Sequence, residues 1–231
     1  MSETLKRAIP GTAPMPSKTV KSSRSEAGVS AVEQQMESLF ATLLPMIDEH
    51  KSLIVHLVGA MPGEGVSTLA RALAVAAGRR SWCKVALLDL LAEHASELGP
   101  HDSGILLDEF ARSGTATLER IAVSGARISL GRVTDTKTGR PNLDILRDFY
   151  AWARTQFTLI IVDCPPIMRA PDSAVLCALA DGTILIVEAD RTRVPVVQRA
   201  RETLTASGAN ILGVVLNKRV DLIPSFLYRF I

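Results

Sequence analysis

Five segments of the chain are apolar without alternation: 53–58, 84–89, 157–163, 182–187 and 211–216. A strand that lacks alternation is covered on both faces, the condition of a strand inside a parallel sheet. Between these segments apolar residues recur every three or four positions, the period of an amphipathic helix. Val32, Met36, Leu39, Leu43 and Met46 place one such helix over 30–50, and Pro45 is expected to kink it or end it early. Further helices are predicted over 67–77 with Gly78 as the stop, over 105–112, over 143–155, over 171–179, and over 194–207, stopped by Gly208. Leu143, Leu146, Phe149, Tyr150 and Ala153 share one face of the 143–155 helix. A shorter strand is predicted over 126–130, and the stretches 92–103 and 134–141 read as loop and turn. Strands alternating with helices predict an α/β fold: a mostly parallel central sheet with helices on both faces and right-handed crossovers. Such sheets bind ligands at the carboxyl ends of their strands, where Ala60, Asp89, Asp163 and Asn217 fall.

Residues 1–29 break the pattern. They are rich in Ser, Thr, Pro, Ala, Lys and Arg, with almost no large apolar side chain after Ile9. Such a segment cannot bury enough surface to offset its ordering entropy and is expected to be a disordered tail. Lys6, Arg7, Lys18, Lys21 and Arg24 outnumber Glu3 and Glu26, so the tail is basic. Its charges are spread out, which fits a solvated tail better than an arm for an anionic membrane surface. The remainder, 30–231, is expected to form one domain. Over the 231 residues the net charge is +2, too near balance to argue for nucleic acid. Cys83, Cys164 and Cys177 are scattered and form no C-x-x-C pair, which suggests free thiols in a reducing compartment. No apolar run approaches the ~18 residues of a membrane span, and the N-terminus has no apolar core like that of a secretory signal. The expectation is a cytoplasmic protein that reaches a membrane through a partner.

The chemistry concentrates after the first strand. Pro62-Gly63-Glu64-Gly65-Val66-Ser67-Thr68 follows the 53–58 segment and opens the 67–77 helix. Strand, glycine loop, helix is the layout of a phosphate-binding P-loop. Gly63 and Gly65, on either side of Glu64, free the backbone to turn its N–H groups into one hollow, and the helix N-terminus adds positive partial charge there. Ser67 and Thr68 stand where a hydroxyl would hold magnesium. Two positions depart from the motif. Its lysine is Val66, and its first glycine is Ala60, with Gly59 one place early. Asp163, after Ile160-Ile161-Val162, is a candidate magnesium ligand of the Walker B kind; alone, an Asp in that place also suits a helix cap. Asp89 ends the 84–89 strand in the same way.

With these motifs in this order, the chain from about residue 30 onward resembles the cytoplasmic ATPase domains of the bacterial tyrosine kinases, part of the wider MinD/ParA class of deviant P-loop ATPases. The resemblance rests on Pro62-Gly63-Glu64-Gly65-x-Ser67-Thr68, Leu87-Leu88-Asp89, Ile160-Ile161-Val162-Asp163-x-Pro165-Pro166, Ala180-Asp181-Gly182-Thr183 and Gly213-Val214-Val215-Leu216-Asn217. It implies a P-loop NTPase-like fold and Mg-ATP as cofactor. Ser67 and Asp163 would hold the magnesium, the loop from Gly63 to Thr68 would hold the phosphates, Asn217 would lie near the adenine, and Asp89 and Asp163 are the candidate catalytic carboxylates. It also implies a role in synthesis and export of capsular or extracellular polysaccharide. The expected partner is a membrane-embedded chain-length regulator or co-polymerase, with the protein peripheral at the inner membrane, able to form a homo-oligomer and independent of nucleic acid.

The departures from that family are as informative as the matches. Besides Val66, the family's D-x-D-x-R motif reads Asp89, Leu91 and Glu93 here. Its N-terminal E-x-x-R-x-x-R, used in ring assembly, matches Glu33, Met36 and Leu39, with both arginines gone. In place of a terminal tyrosine cluster the chain has Tyr228 alone within the apolar run 226–231. Cys164 stands at a position usually held by Thr and reads as a small buried residue. The missing lysine makes charge-assisted hydrogen bonds to phosphate, each worth roughly 1.5–3 kcal/mol. Its loss is expected to cost at least about tenfold to a hundredfold in affinity, and more in phosphoryl transfer. The expectation is a degenerate member, a scaffold or regulator that binds ATP weakly or not at all. The alternatives are an active autokinase in which Arg71 or Lys84 supplies the cation, and a positioning ATPase acting on DNA or a membrane. Met61, in place of the signature lysine of that last class, speaks against it.

Overall fold

A computed structural model of the chain describes residues 26–90, 106–133 and 141–219. Most of the predicted tail, the loop 92–103, Leu91, Glu93, residues 134–140 and the segment 220–231 with Tyr228 lie outside the described residues.

The first helix, α1 (Glu26–His50), begins four residues before the predicted start and runs through Pro45 without a break. Pro45 is exposed, so the backbone bond it forfeits lies on the solvent side, where water serves the freed carbonyl. Met36, Phe40, Leu43 and Ile47 are buried and bind the helix to the domain on both sides of the proline. After it come β1 (Leu53–Gly59), α2 (Val66–Gly78), β2 (Val85–Asp89), α3 (Leu106–Ser113), β3 (Glu119–Val123) and β4 (Ala126–Arg132). The rest of the chain forms α4 (Leu143–Gln156), β5 (Leu159–Cys164), α5 (Asp172–Cys177), β6 (Gly182–Glu188), α6 (Val194–Ala206) and β7 (Ile211–Asn217).

Among the described residues one sheet runs in the order β3-β4-β2-β5-β1-β6-β7, and only the β3–β4 pair is antiparallel. β1, β2, β5 and β6 are buried along nearly their whole length, as unbroken apolar runs require. Leu53, Val55 and Leu57 face a layer shared with α1 and α2, and Ile54 and Val58 face the layer of α4 and α6. β7 is the outer strand, with Val214 and Leu216 exposed, so it is less buried than its sequence suggests.

β3 has no counterpart in the sequence reading. It carries Glu119 and Arg120 and is half exposed, so it lacks the unbroken apolar run of the central strands. Ser124 and Gly125 join it to β4 with positive φ at both residues (50° and 79°), the backbone of a two-residue hairpin turn.

Candidate functional site

The parallel register brings the carboxyl ends of β1, β2 and β5 together. Leu57 lies opposite Asp163, and Asp89 lies opposite Asp163 on the other side. The chain after β5 closes over the end of β1, where Ile167 N donates to the Gly59 carbonyl at 2.9 Å and Met168 N to the Ala60 carbonyl at 3.1 Å. The predicted glycine loop therefore sits beside Asp163, with Asp89 one strand further away.

The loop holds its shape through glycines and internal hydrogen bonds. Gly63 and Gly65 have φ of 84° and 88°, a left-handed conformation that side chains disfavour. Gly65 is also the N-cap of α2, and a Cβ there would collide with the Asn217 amide. Asn217 Nδ2 donates to the Glu64 carbonyl at 2.7 Å, so the residue expected near the adenine is also a clamp on the loop. The Glu64 carboxylate turns inward and is buried. It accepts from Met61 N at 2.8 Å and from the Thr192 hydroxyl, tying the loop to the turn after β6. One N–H of the loop is thus satisfied from within the protein.

Val66, in the lysine position, is half buried and packs on the α1–α2 layer. A lysine there would carry charge to the phosphate hollow; the valine supplies none. Of the two hydroxyls, Ser67 makes the site contact. It lies close enough to act on the Asp163 carboxyl, while Thr68 is exposed. Asp163 is buried and its Oδ1 has no hydrogen-bond partner. Burial pushes its carboxyl up to about 7; the Ser67 hydroxyl opposes this, the nearby Asp89 charge reinforces it, and Arg71 opposes it. A buried carboxylate with one free oxygen beside a serine hydroxyl fits a magnesium ion, which takes oxygen ligands. Ser67 and Asp163 would hold it, and the ion would supply charge stabilisation to bound phosphate.

The two proposed replacement cations part company. Arg71, on α2, lies close enough to act on the Asp163 charge. Lys84 precedes β2 at the amino-terminal end of the strands, opposite the site, and does not reach it. Two cations that sequence reasoning missed stand at the lip of the loop. Lys218 Nζ donates to the Gly63 carbonyl at 2.6 Å and pairs with Glu188 at 3.1 Å. Arg191 pairs with the same Glu188 oxygen at 3.0 Å. Hydrogen bonds and charge from Lys218 and Arg191 hold the Glu188 carboxyl below its ordinary range. The only sequence signal for Lys218 is its place directly after Asn217 at the end of a strand.

Similarity to known proteins fits this geometry. The chain is 34% identical over 70 residues to the tyrosine-protein kinase CpsD of Streptococcus agalactiae, a match covering 30% of the chain and 31% of that protein. It is 29% identical over 180 residues to the tyrosine-protein kinase CpsD of Streptococcus pneumoniae serotype 4, covering 73% of the chain and 77% of that protein. The kinase domain of Escherichia coli tyrosine kinase ETK superposes with a TM-score of 0.65 at 23% identity, over 85% of the chain and 79% of that domain. The chain is similar in sequence and in fold to the bacterial tyrosine kinases. No family model matches it. The match spans about a third of the length of the curated relatives found first, at 31%, 30% and 30%. Within this P-loop NTPase-like fold, Ser67, Asp163 and the Gly63–Gly65 loop lie at the carboxyl end of the sheet. No described helix is long and apolar enough to cross a membrane.

Proposed function

We propose that this protein is a bacterial tyrosine-kinase relative that serves capsular or extracellular polysaccharide synthesis and export as a weakly nucleotide-binding scaffold or regulator. The observation that carries the reading is Val66, which packs on the α1–α2 layer where the P-loop motif has lysine. The loop backbone, Ser67 and Asp163 remain, so the fold keeps a place for magnesium and phosphate while the charge that grips phosphate is missing. In this reading the protein sits in the cytoplasm, peripheral to the inner membrane, and docks on a membrane-embedded polysaccharide co-polymerase. Similarity to the bacterial tyrosine kinases supports that partner class. Residues 222–231, rich in Leu, Ile and Phe, supply the docking segment. Deleting them is expected to leave the domain folded by circular dichroism and to abolish co-purification with the co-polymerase. A truncated protein that still co-purifies, or that unfolds, removes the docking role.

A second reading, an active autokinase, draws on Lys218 and Arg191 beside Gly63. Either could swing from Glu188 to a bound phosphate and stand in for the lysine. Incubation with Mg-ATP followed by mass spectrometry separates the two. The scaffold reading expects no phosphate on Tyr228; stoichiometric phosphate there, lost in Lys218→Ala, establishes the autokinase.

A further inference from the structure

A second group of polar side chains lies inside the α4–α6 layer. His56 is on β1, Cys164 ends β5, Cys177 ends α5, and all three are buried. A ring nitrogen of His56 and the two sulfurs lie within 4.8 Å of one another. His56 Nε2 is 2.8 Å from the Tyr150 hydroxyl on α4, while Nδ1 is buried with no hydrogen-bond partner. β1 and β5 are parallel neighbours in which His56 lies opposite Val162 and Val58 opposite Cys164, so His56 and Cys164 point into the same layer. α5 then returns Cys177 to that layer.

We propose that His56, Cys164 and Cys177 form a zinc-binding site. Imidazole and thiolate are the donors zinc prefers, and three protein ligands with a water in the fourth position hold it. Around a tetrahedral ion, with Zn–S of about 2.3 Å and Zn–N of about 2.0–2.1 Å, donors sit roughly 3.5–4 Å apart, so small side-chain rotations close the observed cluster. Binding replaces the two thiol protons, which pass to solvent, with one divalent ion. Two thiolates and Zn²⁺ cancel in charge, which suits an apolar layer; a monovalent ion on the same ligands leaves a net buried charge. With Nε2–H donating to the Tyr150 oxygen, the Nδ1 lone pair is available to the ion, the usual support for a ligating histidine. Cys164 directly follows Asp163, so a bound ion fastens the end of β5 to α5 beside the P-loop.

The test is elemental analysis of the full chain, folded in zinc-containing medium and dialysed against metal-free buffer. One zinc per chain is expected. Cys164→Ser and Cys177→Ser each lose it, and Cys83→Ser keeps it. Tyr150→Phe keeps the ligands but weakens zinc affinity about tenfold to a hundredfold in competition with a chromophoric chelator. Should a serine variant not fold, wild type loaded with Co²⁺ decides: thiolate-to-cobalt charge transfer and tetrahedral d–d bands are expected. Wild type without zinc, zinc retained by both serine variants, zinc lost by Cys83→Ser, cobalt without thiolate bands, or a Cys164–Cys177 disulfide in the isolated protein overturns the proposal.

Discussion

Asp163, in the candidate site, keeps its proton to a higher pH than an ordinary carboxyl. Its carboxyl stands at about 7 against an ordinary 3.8 because burial and the Asp89 charge outweigh Ser67 and Arg71. Between those values the folded protein holds a proton that the unfolded chain has released. This contribution to stability is complete below about pH 4 and is lost as the pH rises through about 7. A shift of this size corresponds to at most about 4 kcal/mol. Asp163→Asn is therefore expected to raise the urea midpoint markedly at pH 8 and little at pH 4. A variant no more stable than wild type at pH 8 contradicts the assignment. The loop glycines show the opposite economy: Gly63 and Gly65 take conformations that cost other residues, and Asn217 fills the space a side chain at 65 would need.

At the scale of elements, α4 is bound to the amino-terminal ends of β1 and β6 by a single ion pair. Arg154 makes two hydrogen bonds to Asp181, at 2.7 and 2.8 Å, and donates to the Ser52 carbonyl. Asp181 also accepts from Ile54 N at 2.7 Å. The motif Ala180-Asp181-Gly182-Thr183 thus has a structural reason at its acidic residue, at the end of the sheet away from the P-loop. Asp181→Ala leaves Arg154 without its carboxylate partner and the Ile54 N–H without its acceptor, and is expected to cost roughly 1.5–3 kcal/mol in chemical denaturation. A loss below about 0.5 kcal/mol is the size of a surface pair and sinks this account. The central strands and α2, α4 and α6 were legible because an unbroken apolar run or a 3.6-residue period reports burial on both faces or on one. β3 was not, because a short half-exposed strand carries no such run; its Ser124-Gly125 turn was the available signal. In α1 the buried stripe uses Phe40 and Ile47 beside Met36 and Leu43, and the exposed side of Pro45 could not be read from composition. At the site, Gly63, Gly65, Ser67 and Asp163 were legible because the motif needs them in order. Lys218 and Arg191 were not, since they meet the loop only through the β6–β7 register.

The whole molecule keeps the architecture of the tyrosine kinases it resembles and, in the proposed reading, departs at the place where phosphate charge would be met. The sheet order, Asp163 and the glycine loop are in position; in the proposed reading, Val66 is the substitution that separates holding a nucleotide firmly from merely having room for one. The direct measurement is calorimetric titration of Mg-ATP into wild type and Val66→Lys at the same ionic strength. Weak or undetectable binding is predicted for wild type, with affinity gained by at least about tenfold in the lysine variant. Low-micromolar binding by wild type, unchanged by the lysine, contradicts the account.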